Sequence, residues 1–402
     1  MDLIIFEPAG EAGALNRPMQ QLLREMPEWS LQCFQNEIAA LVAVQNSERA
    51  AVLVDAEETV RTPAFLRKLA GRHPETIRVA CASAQEMRKL RDLCGWANQF
   101  VFKPLAPERL RQRLQLAESL RPLLTHRQTL NLVTGLKTLP AFLDAYAELL
   151  DAMDAPDVSL ENLGLKIERD VGLCSTILSL ANSAFFGRAS EATTAAEAVG
   201  TLGLSAIRAV VMAYPALSLM DRSPELQKRR AEFWSHAQRV SEIARVIARR
   251  AGLSSQGISH AYSGGLLHDV GKLILGSNHG QKYDTYLDYA QSKGEPLHRV
   301  EQAMLGTNHA LIGAFMLAIW GVPKPIVNSI WQHHAEEKDQ TDVIDVPAVV
   351  RGANQVAHLL SAIQRSDSDE ATFDETDMAP RIIDWANLVR EEEATVRAQS
   401  VG

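Results

Sequence analysis

Cysteine is scarce in this sequence and is not arranged in pairs. Four cysteines occur among the 402 residues, and no two of them have the Cys-x-x-Cys spacing of a zinc knuckle or a redox motif. Disulfide frameworks and structural zinc sites are built from closely spaced, repeated cysteines. We therefore predict neither, and a reducing cytoplasm is the expected compartment.

Long apolar runs and a positive charge balance are also lacking. The most apolar stretch, AIRAVVMAYPALSLM, contains Arg208 and Pro215 and falls short of a membrane span. The first residues, MDLIIFE, have neither the basic nor the apolar region of a signal peptide. The formal net charge of −8 argues against broad nucleic-acid binding, which requires a basic surface. We expect neither a membrane nor a nucleic acid as a partner.

Two or three domains are expected, because 402 residues exceed the size of one ordinary core. In residues 1–120, short apolar runs alternate with helical stretches at 15–26, 62–72 and 84–95. The apolar runs are LIIF (3–6), AAVLVD (50–55), IRVACA (77–82) and QFVFKP (99–104). Strands that alternate with helices form parallel sheets, so we predict an α/β domain here.

From about residue 107 to about residue 363, the apolar residues recur with the spacing of α-helices. We predict a connecting helix and an all-α domain over residues 121–363. Residues 364–402 are predicted to form an acidic loop, SDSDEATFDETD, and an amphipathic helix. Ile383, Trp385 and Leu388 are expected to pack that helix onto the rest of the protein.

The carboxylates of the first domain resemble those of the receiver domains of bacterial response regulators. VLVD places Asp55 at the end of a strand, where receivers carry the phosphoacceptor, and VFKP supplies Lys103 where that family has a lysine. Receivers hold Mg²⁺ with an acidic pair after the first strand, whereas FEPAG offers only Glu7. The resemblance implies a flavodoxin-like sheet. The missing carboxylate favours a degenerate receiver used for docking or dimerisation over one phosphorylated at Asp55.

Several of the 11 histidines lie in apolar helical stretches. His236, for example, shares a helical face with Val240, Ile243 and Ile247. One such histidine is usually a core residue. Imidazoles and a carboxylate on successive helices are instead the usual construction of a Zn, Fe or Mn site in a helical bundle. The candidate ligands are His236, His268, Asp269, His309, His333 and His334.

The same residues resemble the HD superfamily of metal-dependent phosphohydrolases, in which HDVGK is a typical motif. Over about residues 130–340 the sequence is similar to the HDOD domain family, through LKTLP, LANSAFFG, AVGTLGLSAIR, LLHDVGKLIL, NHALIGAFML, IWGVPKPI and WQHH. The resemblance implies that the candidate residues bind Fe, Mn or Zn and that Lys272 neutralises a phosphate oxygen. Gly264 and Gly265, just before the His-Asp pair, are expected to let two helices approach closely.

Two features of the catalytic families are missing. Their closing carboxylate is expected on VVRGANQVAHLL, which offers Asn354 and has no Asp or Glu between residues 347 and 365. A neutral amide is a poor substitute for a carboxylate at a divalent metal. The Gly-Tyr-Pro motif of the related HD-GYP family is also absent after the His pair, where HHAEEKDQTD follows.

Three functions remain open on this basis. The first is a non-catalytic signalling module with partly structural histidines and a retained metal. The second is a working phosphohydrolase that acts on a cyclic dinucleotide such as cyclic di-GMP. The third is a scaffold that sequesters a regulator. We predict bacterial signal transduction through a non-catalytic HDOD output module under control of the receiver-like domain. Its expected partners are a histidine kinase, a diguanylate cyclase, another regulator, a nucleotide second messenger or a second copy of the chain.

Overall fold

The computed structural model describes residues 2–8, 29–56, 60–83, 93, 96–103, 105, 107–134, 149–150, 152–153, 157–182, 192–219, 224–319, 321–335, 344–366 and 380–401. The helical stretch predicted at 15–26 lies outside these residues, as do all but residue 93 of the stretch at 84–95 and all but Ser366 of the acidic loop.

The N-terminal part forms a five-stranded parallel sheet in the order β2-β1-β3-β4-β5. The strands are β1 (Asp2–Phe6), β2 (Ser30–Phe34), β3 (Ala50–Asp55), β4 (Ile77–Ser83) and β5 (Gln99–Lys103). This is the order of doubly wound, flavodoxin-like sheets. The prediction of a parallel α/β sheet is therefore confirmed.

The four apolar runs seen in the sequence correspond to four of these strands. All six residues of β3 are buried, as expected for a strand that is covered on both faces. Strand β2, SLQCF, has no continuous apolar run and lies at the edge of the sheet with most of its residues exposed. This strand was missed in the sequence because an edge strand needs no buried face.

Helices make up the rest of the described chain. They are α1 (Glu37–Asn46), α2 (Arg61–Arg72), α3 (Pro107–Ser119), α4 (Arg121–Leu124), α5 (Arg127–Thr134), α6 (Leu160–Ile167), α7 (Val171–Ala181), α8 (Ala195–Leu202), α9 (Leu204–Leu219), α10 (Pro224–Arg250), α11 (Ser255–Leu267), α12 (Val270–His279), α13 (Gln281–Lys293), α14 (Leu297–Leu305), α15 (His309–Ile319), α16 (Lys324–Gln332), α17 (Val346–Ser366) and α18 (Pro380–Val401). The all-helical character of the region after residue 107 is confirmed throughout the described residues.

The chain folds into two compact units that do not follow the order of the sequence. The first unit comprises Met1–Asp151 and Asn278–Lys324, and the second comprises Ala152–Ser277 and Pro325–Gly402. Within the first unit, α15 packs against α4, α5 and β5. The side chain of Gln99 at the start of β5 donates from Nε2 to the carbonyl of Ala318 at 2.9 Å.

In the second unit, α10, α11 and α17 pack closely together. A Cβ atom placed on Gly265 of α11 would lie 2.7 Å from Cα of Ser241 on α10. A side chain at this position would therefore collide with backbone, and the expected role of the glycine in close helix approach is confirmed. The C-terminal helix α18 also packs here, since Trp385 and Leu388 lie against the core of α10 and α17.

No single helix among the described residues is long and apolar enough to cross a membrane. The pair α14 and α15 reaches the required length and hydropathy only together, across a bend of 77°.

Candidate metal centre

The His-Asp pair lies at a break between two helices. Helix α11 ends at Leu267 and α12 begins at Val270, so His268 and Asp269 occupy the turn between them. Both residues are buried. The close contact at Gly265, less than one turn earlier, holds α11 directly against α10, which carries His236.

The backbone fixes the tautomer of two histidines. Nδ1 of His268 donates to the carbonyl of Gly265, and Nδ1 of His333 donates to that of Ile330, each at 2.7 Å. A carbonyl can only accept, so both Nδ1 atoms are protonated, and the neutral form of each ring has its lone pair on Nε2. Both Nε2 atoms lie near Asp269, at 3.3 Å from Oδ2 for His268 and 3.5 Å from Oδ1 for His333. A carbonyl behind the imidazole is the usual outer partner of a metal-bound histidine.

His236 lies near Asp269 and next to Asn354. Its Nε2 is 3.1 Å from Oδ1 of Asn354 and 4.0 Å from Oδ2 of Asp269. Burial lowers the pKa of His236 to about 3, and the neighbouring His268 also lowers it. His236 is therefore neutral near pH 7 and has one nitrogen lone pair. The sequence placed Asn354 where catalytic relatives have a carboxylate, and the structure places this amide beside the first histidine of the pattern.

Lys272 supplies a cation to the same carboxylate. Its Nζ donates to Oδ2 of Asp269 at 2.6 Å, and its side chain is 30% exposed. Nitrogens of His236, His268, His333 and Lys272 all lie within 4.0 Å of a carboxylate oxygen of Asp269. Asp269 is therefore the centre of the cluster.

His334 and His309 are the two remaining candidate histidines. The ring of His334 lies 3.9 Å from that of His333, measured between centroids. Ligand atoms of Asp269, His333 and His334 lie within 4.8 Å of one another. His309 belongs to the first unit, where it begins α15.

In that unit, His309 is held by a buried carboxylate. Its Nδ1 lies 2.6 Å from Oε2 of Glu301, and its backbone N–H donates to the same oxygen at 2.8 Å. Tyr283 donates to the other oxygen of Glu301 at 2.6 Å. Burial raises the pKa of Glu301, but the charge of His309 and the hydrogen bonds outweigh this effect, so the net shift is downward. Glu301 is thus ionised and orients the imidazole.

The three candidate residues of the N-terminal domain lie at the carboxyl ends of their strands. Asp55 ends β3, Lys103 ends β5 and Glu7 directly follows β1, so all three are at the carboxyl end of parallel strands. Nζ of Lys103 donates to Oδ2 of Asp55 at 2.6 Å. The structure thus brings Asp55 and Lys103 together.

The cluster around Asp269 fits a divalent transition metal in its donor atoms. Nε2 of His268 is a buried nitrogen that has no hydrogen-bond partner among the described residues. It carries a lone pair and lies within 4.8 Å of a nitrogen of His236 and an oxygen of Asp269. Nitrogen from imidazole and oxygen from carboxylate are the ligands that Zn, Fe and Mn accept. The candidates His236, His268 and Asp269 are therefore brought together as one possible ligand set.

Sequence reasoning missed three residues of these surroundings. His358 lies one turn after Asn354 on α17, and its ring centroid is 4.9 Å from that of His236. Its position at i+4 from Asn354 is the signal that identifies it, because such residues share a helix face. Glu301 and Tyr283 have no such signal, since the contacts of Glu301 with His309 and with Tyr283 join different helices.

A helical unit that gathers a His-Asp pair and further histidines around one carboxylate is typical of the HD superfamily. Residues 139–336 match the family model of the HDOD domain, and this part of the chain is an HDOD domain. The match covers segments of both compact units.

Two curated bacterial relatives match part of the chain. An uncharacterized protein of Treponema pallidum is 28% identical over 196 residues, which are 49% of this chain and 37% of the relative. Ribonuclease Y of Fervidobacterium nodosum is 29% identical over 133 residues, which are 33% of this chain and 19% of the relative. The chain thus spans well under half the length of these relatives.

Two solved structures align with the chain at lower sequence identity. An HDOD domain protein with unknown function from Geobacter sulfurreducens is 22% identical, with a TM-score of 0.48, and the alignment covers 72% of this chain and 97% of that one. The MmoQ response regulator of Methylococcus capsulatus is 21% identical, with a TM-score of 0.31, and the alignment covers 60% and 95% of the two chains.

Proposed function

We propose that this protein is a bacterial signal-transduction protein whose HDOD domain is a non-catalytic output module with a retained metal-binding cluster. The observation that carries this proposal is the contact between Asn354 and His236. It puts an amide where a hydrolytic centre needs a second carboxylate. Among the described residues of the cluster, Asp269 is then the carboxylate that balances the charge of a bound metal, which weakens binding of a divalent ion.

In hydrolytic relatives, a bound metal polarises the phosphodiester and lowers the pKa of a water molecule. In this chain, His268 and His333 offer fixed lone pairs, Asp269 offers its oxygens, and Lys272 neutralises anionic charge. These residues suit binding of a metal together with a phosphate-bearing signal. Partner proteins of the kinds named above, or a nucleotide, are the proposed ligands of the module.

The N-terminal domain is proposed to control the HDOD domain as a degenerate receiver. The ion pair between Asp55 and Lys103 supports the likeness to receivers, and the single acid Glu7 directly after β1 supports docking without phosphorylation. Acetyl phosphate should therefore leave the protein unlabelled. Stoichiometric labelling that disappears in Asp55→Ala would show a working receiver.

A metal-dependent phosphohydrolase is the second candidate, favoured by the tautomers that the carbonyls of Gly265 and Ile330 impose. The two functions are separated by metal analysis and phosphodiester hydrolysis on the same sample, purified without affinity tag or chelator. Metal without turnover in the wild type supports the signalling module. Near-stoichiometric metal with turnover supports the hydrolase. Asn354→Asp provides the matched variant, because it restores a carboxylate of nearly the same shape, and we expect it to bind metal more tightly.

A further inference from the structure

One oxygen of the Asp269 carboxylate already has a cation beside it. The ammonium of Lys272 lies 2.6 Å from Oδ2. His268 and His333 donate to carbonyls from Nδ1 and place Nε2 toward the same carboxylate. The carboxylate that a metal would need is therefore already paired with an ammonium.

A divalent metal would need the same oxygen atoms. Coordination by His236, His268 and Asp269 brings the ion to about 2.0–2.2 Å from a carboxylate oxygen. The ammonium hydrogen-bonded to that carboxylate would then be within a few ångströms of the ion, and like charges at that distance repel strongly in a buried site. The second carboxylate that would offset this repulsion is replaced by Asn354.

We propose that Lys272 is an internal counter-cation that competes with divalent metal for Asp269 and so sets the metal affinity of the cluster. This inference rests on the proposed function only in that the cluster can hold a metal. It assigns to Lys272 a role in the metal-free protein, in addition to any contact with a phosphate group. It also predicts coupling, because an anion that engages the ammonium of Lys272 makes Asp269 available to the metal.

The test is the affinity of the full-length protein for Co²⁺, measured by calorimetry and by the visible absorption of bound Co²⁺. Lys272→Met keeps the aliphatic stem and removes the charge, and the 30% exposure of this side chain makes the change tolerable for folding. Lys103→Met is the matched control, since Lys103 makes an ion pair of the same 2.6 Å length with Asp55. Circular dichroism checks that both variants are folded.

We expect Lys272→Met to bind Co²⁺ at least about tenfold more tightly than the wild type, within the usual range of coupling between two ligands. Lys103→Met should bind as the wild type does. Binding by Lys272→Met but not by the wild type would support the inference most strongly. Equal affinities of wild type and Lys272→Met would overturn the inference and leave the metal-binding cluster standing. No binding by either would overturn both.

Discussion

The protein contains two aspartate–lysine pairs of the same length in very different surroundings. Asp55 and Lys103 meet at the carboxyl edge of the parallel sheet, and Asp269 and Lys272 meet at a helix break, each pair at 2.6 Å. Around Asp269, nitrogens of three histidines lie within 4.0 Å of a carboxylate oxygen. Asp55 forms an ion pair with Lys103. An aspartate–lysine ion pair alone therefore does not make a candidate metal site, whereas imidazole nitrogens that converge on the carboxylate do.

The largest expected effect comes from removing His268 and Asp269 at the helix break. The double change His268→Ala with Asp269→Ala takes away a lone pair, both carboxylate oxygens and buried volume, so we expect loss of bound transition metal and a lower melting temperature. Metal analysis and thermal denaturation check this expectation. Asp55→Ala removes the equivalent carboxylate from the sheet and should leave the metal content unchanged. Full metal content in the double variant would show that Asp269 is not the centre of the site.

The second test concerns the packing of α11 against α10, which brings His268 close to His236. Gly265→Ala places a Cβ atom 2.7 Å from Cα of Ser241, and overpacking of this kind costs about 1–3 kcal/mol of unfolding free energy. Gly71→Ala is the control in the sheet-containing unit, because a Cβ there meets nothing within 4 Å. It should stabilise by about 0.5–1 kcal/mol. Chemical denaturation measures both, and an unchanged stability of Gly265→Ala would mean that α10 and α11 separate without cost.

The smallest expected effect is on the pH dependence of stability, to which a histidine of the helical unit and an aspartate of the sheet contribute differently. Burial lowers the pKa of His260 on α11 below its usual 6.5. Below pH 6.5 the unfolded chain therefore binds a proton that the folded chain does not, and stability falls as the pH drops. His260→Gln should weaken this dependence between pH 6.5 and 5, as measured by urea denaturation.

Asp2 in the sheet provides the contrast. Hydrogen bonds from Ser30 and Ser47 lower its pKa below 3.8. Its contribution is therefore present above that pH and is lost only as the pH falls further. Asp2→Asn should leave the dependence between pH 6.5 and 5 as it is in the wild type. If His260→Gln also left it unchanged, His260 would not be a source of the acid sensitivity.

Much of this arrangement follows from local sequence, and the reasons for the rest are physical. Four strands were recognisable because buried parallel strands are continuous apolar runs. Asn354 was recognisable as the residue at the position of the closing carboxylate because its spacing on α17 fixes the face on which it lies. His358 was missed because it is exposed and so contributes to no apolar stripe. The association of Asn278–Lys324 with the N-terminal sheet depends on contacts between distant residues, such as Gln99 and Ala318. The apolar periodicity of a helix shows which of its faces is buried, but it does not show which other helix packs against that face. The proposed boundaries at residues 120 and 363 stay a prediction.

The path of the chain through its two units has a consequence for handling the protein. The backbone crosses from one unit to the other after Asp151, after Ser277 and after Lys324. A proteolytic nick between Ala152 and Ser277 leaves Met1–Asp151 on one fragment and Asn278–Lys324 on the other, although these segments form one folded unit. We therefore expect the fragments to co-purify and to separate only under denaturing conditions. A truncation that starts at residue 121 strips α15 of its contact with Gln99, so the excised helical half loses a native partner.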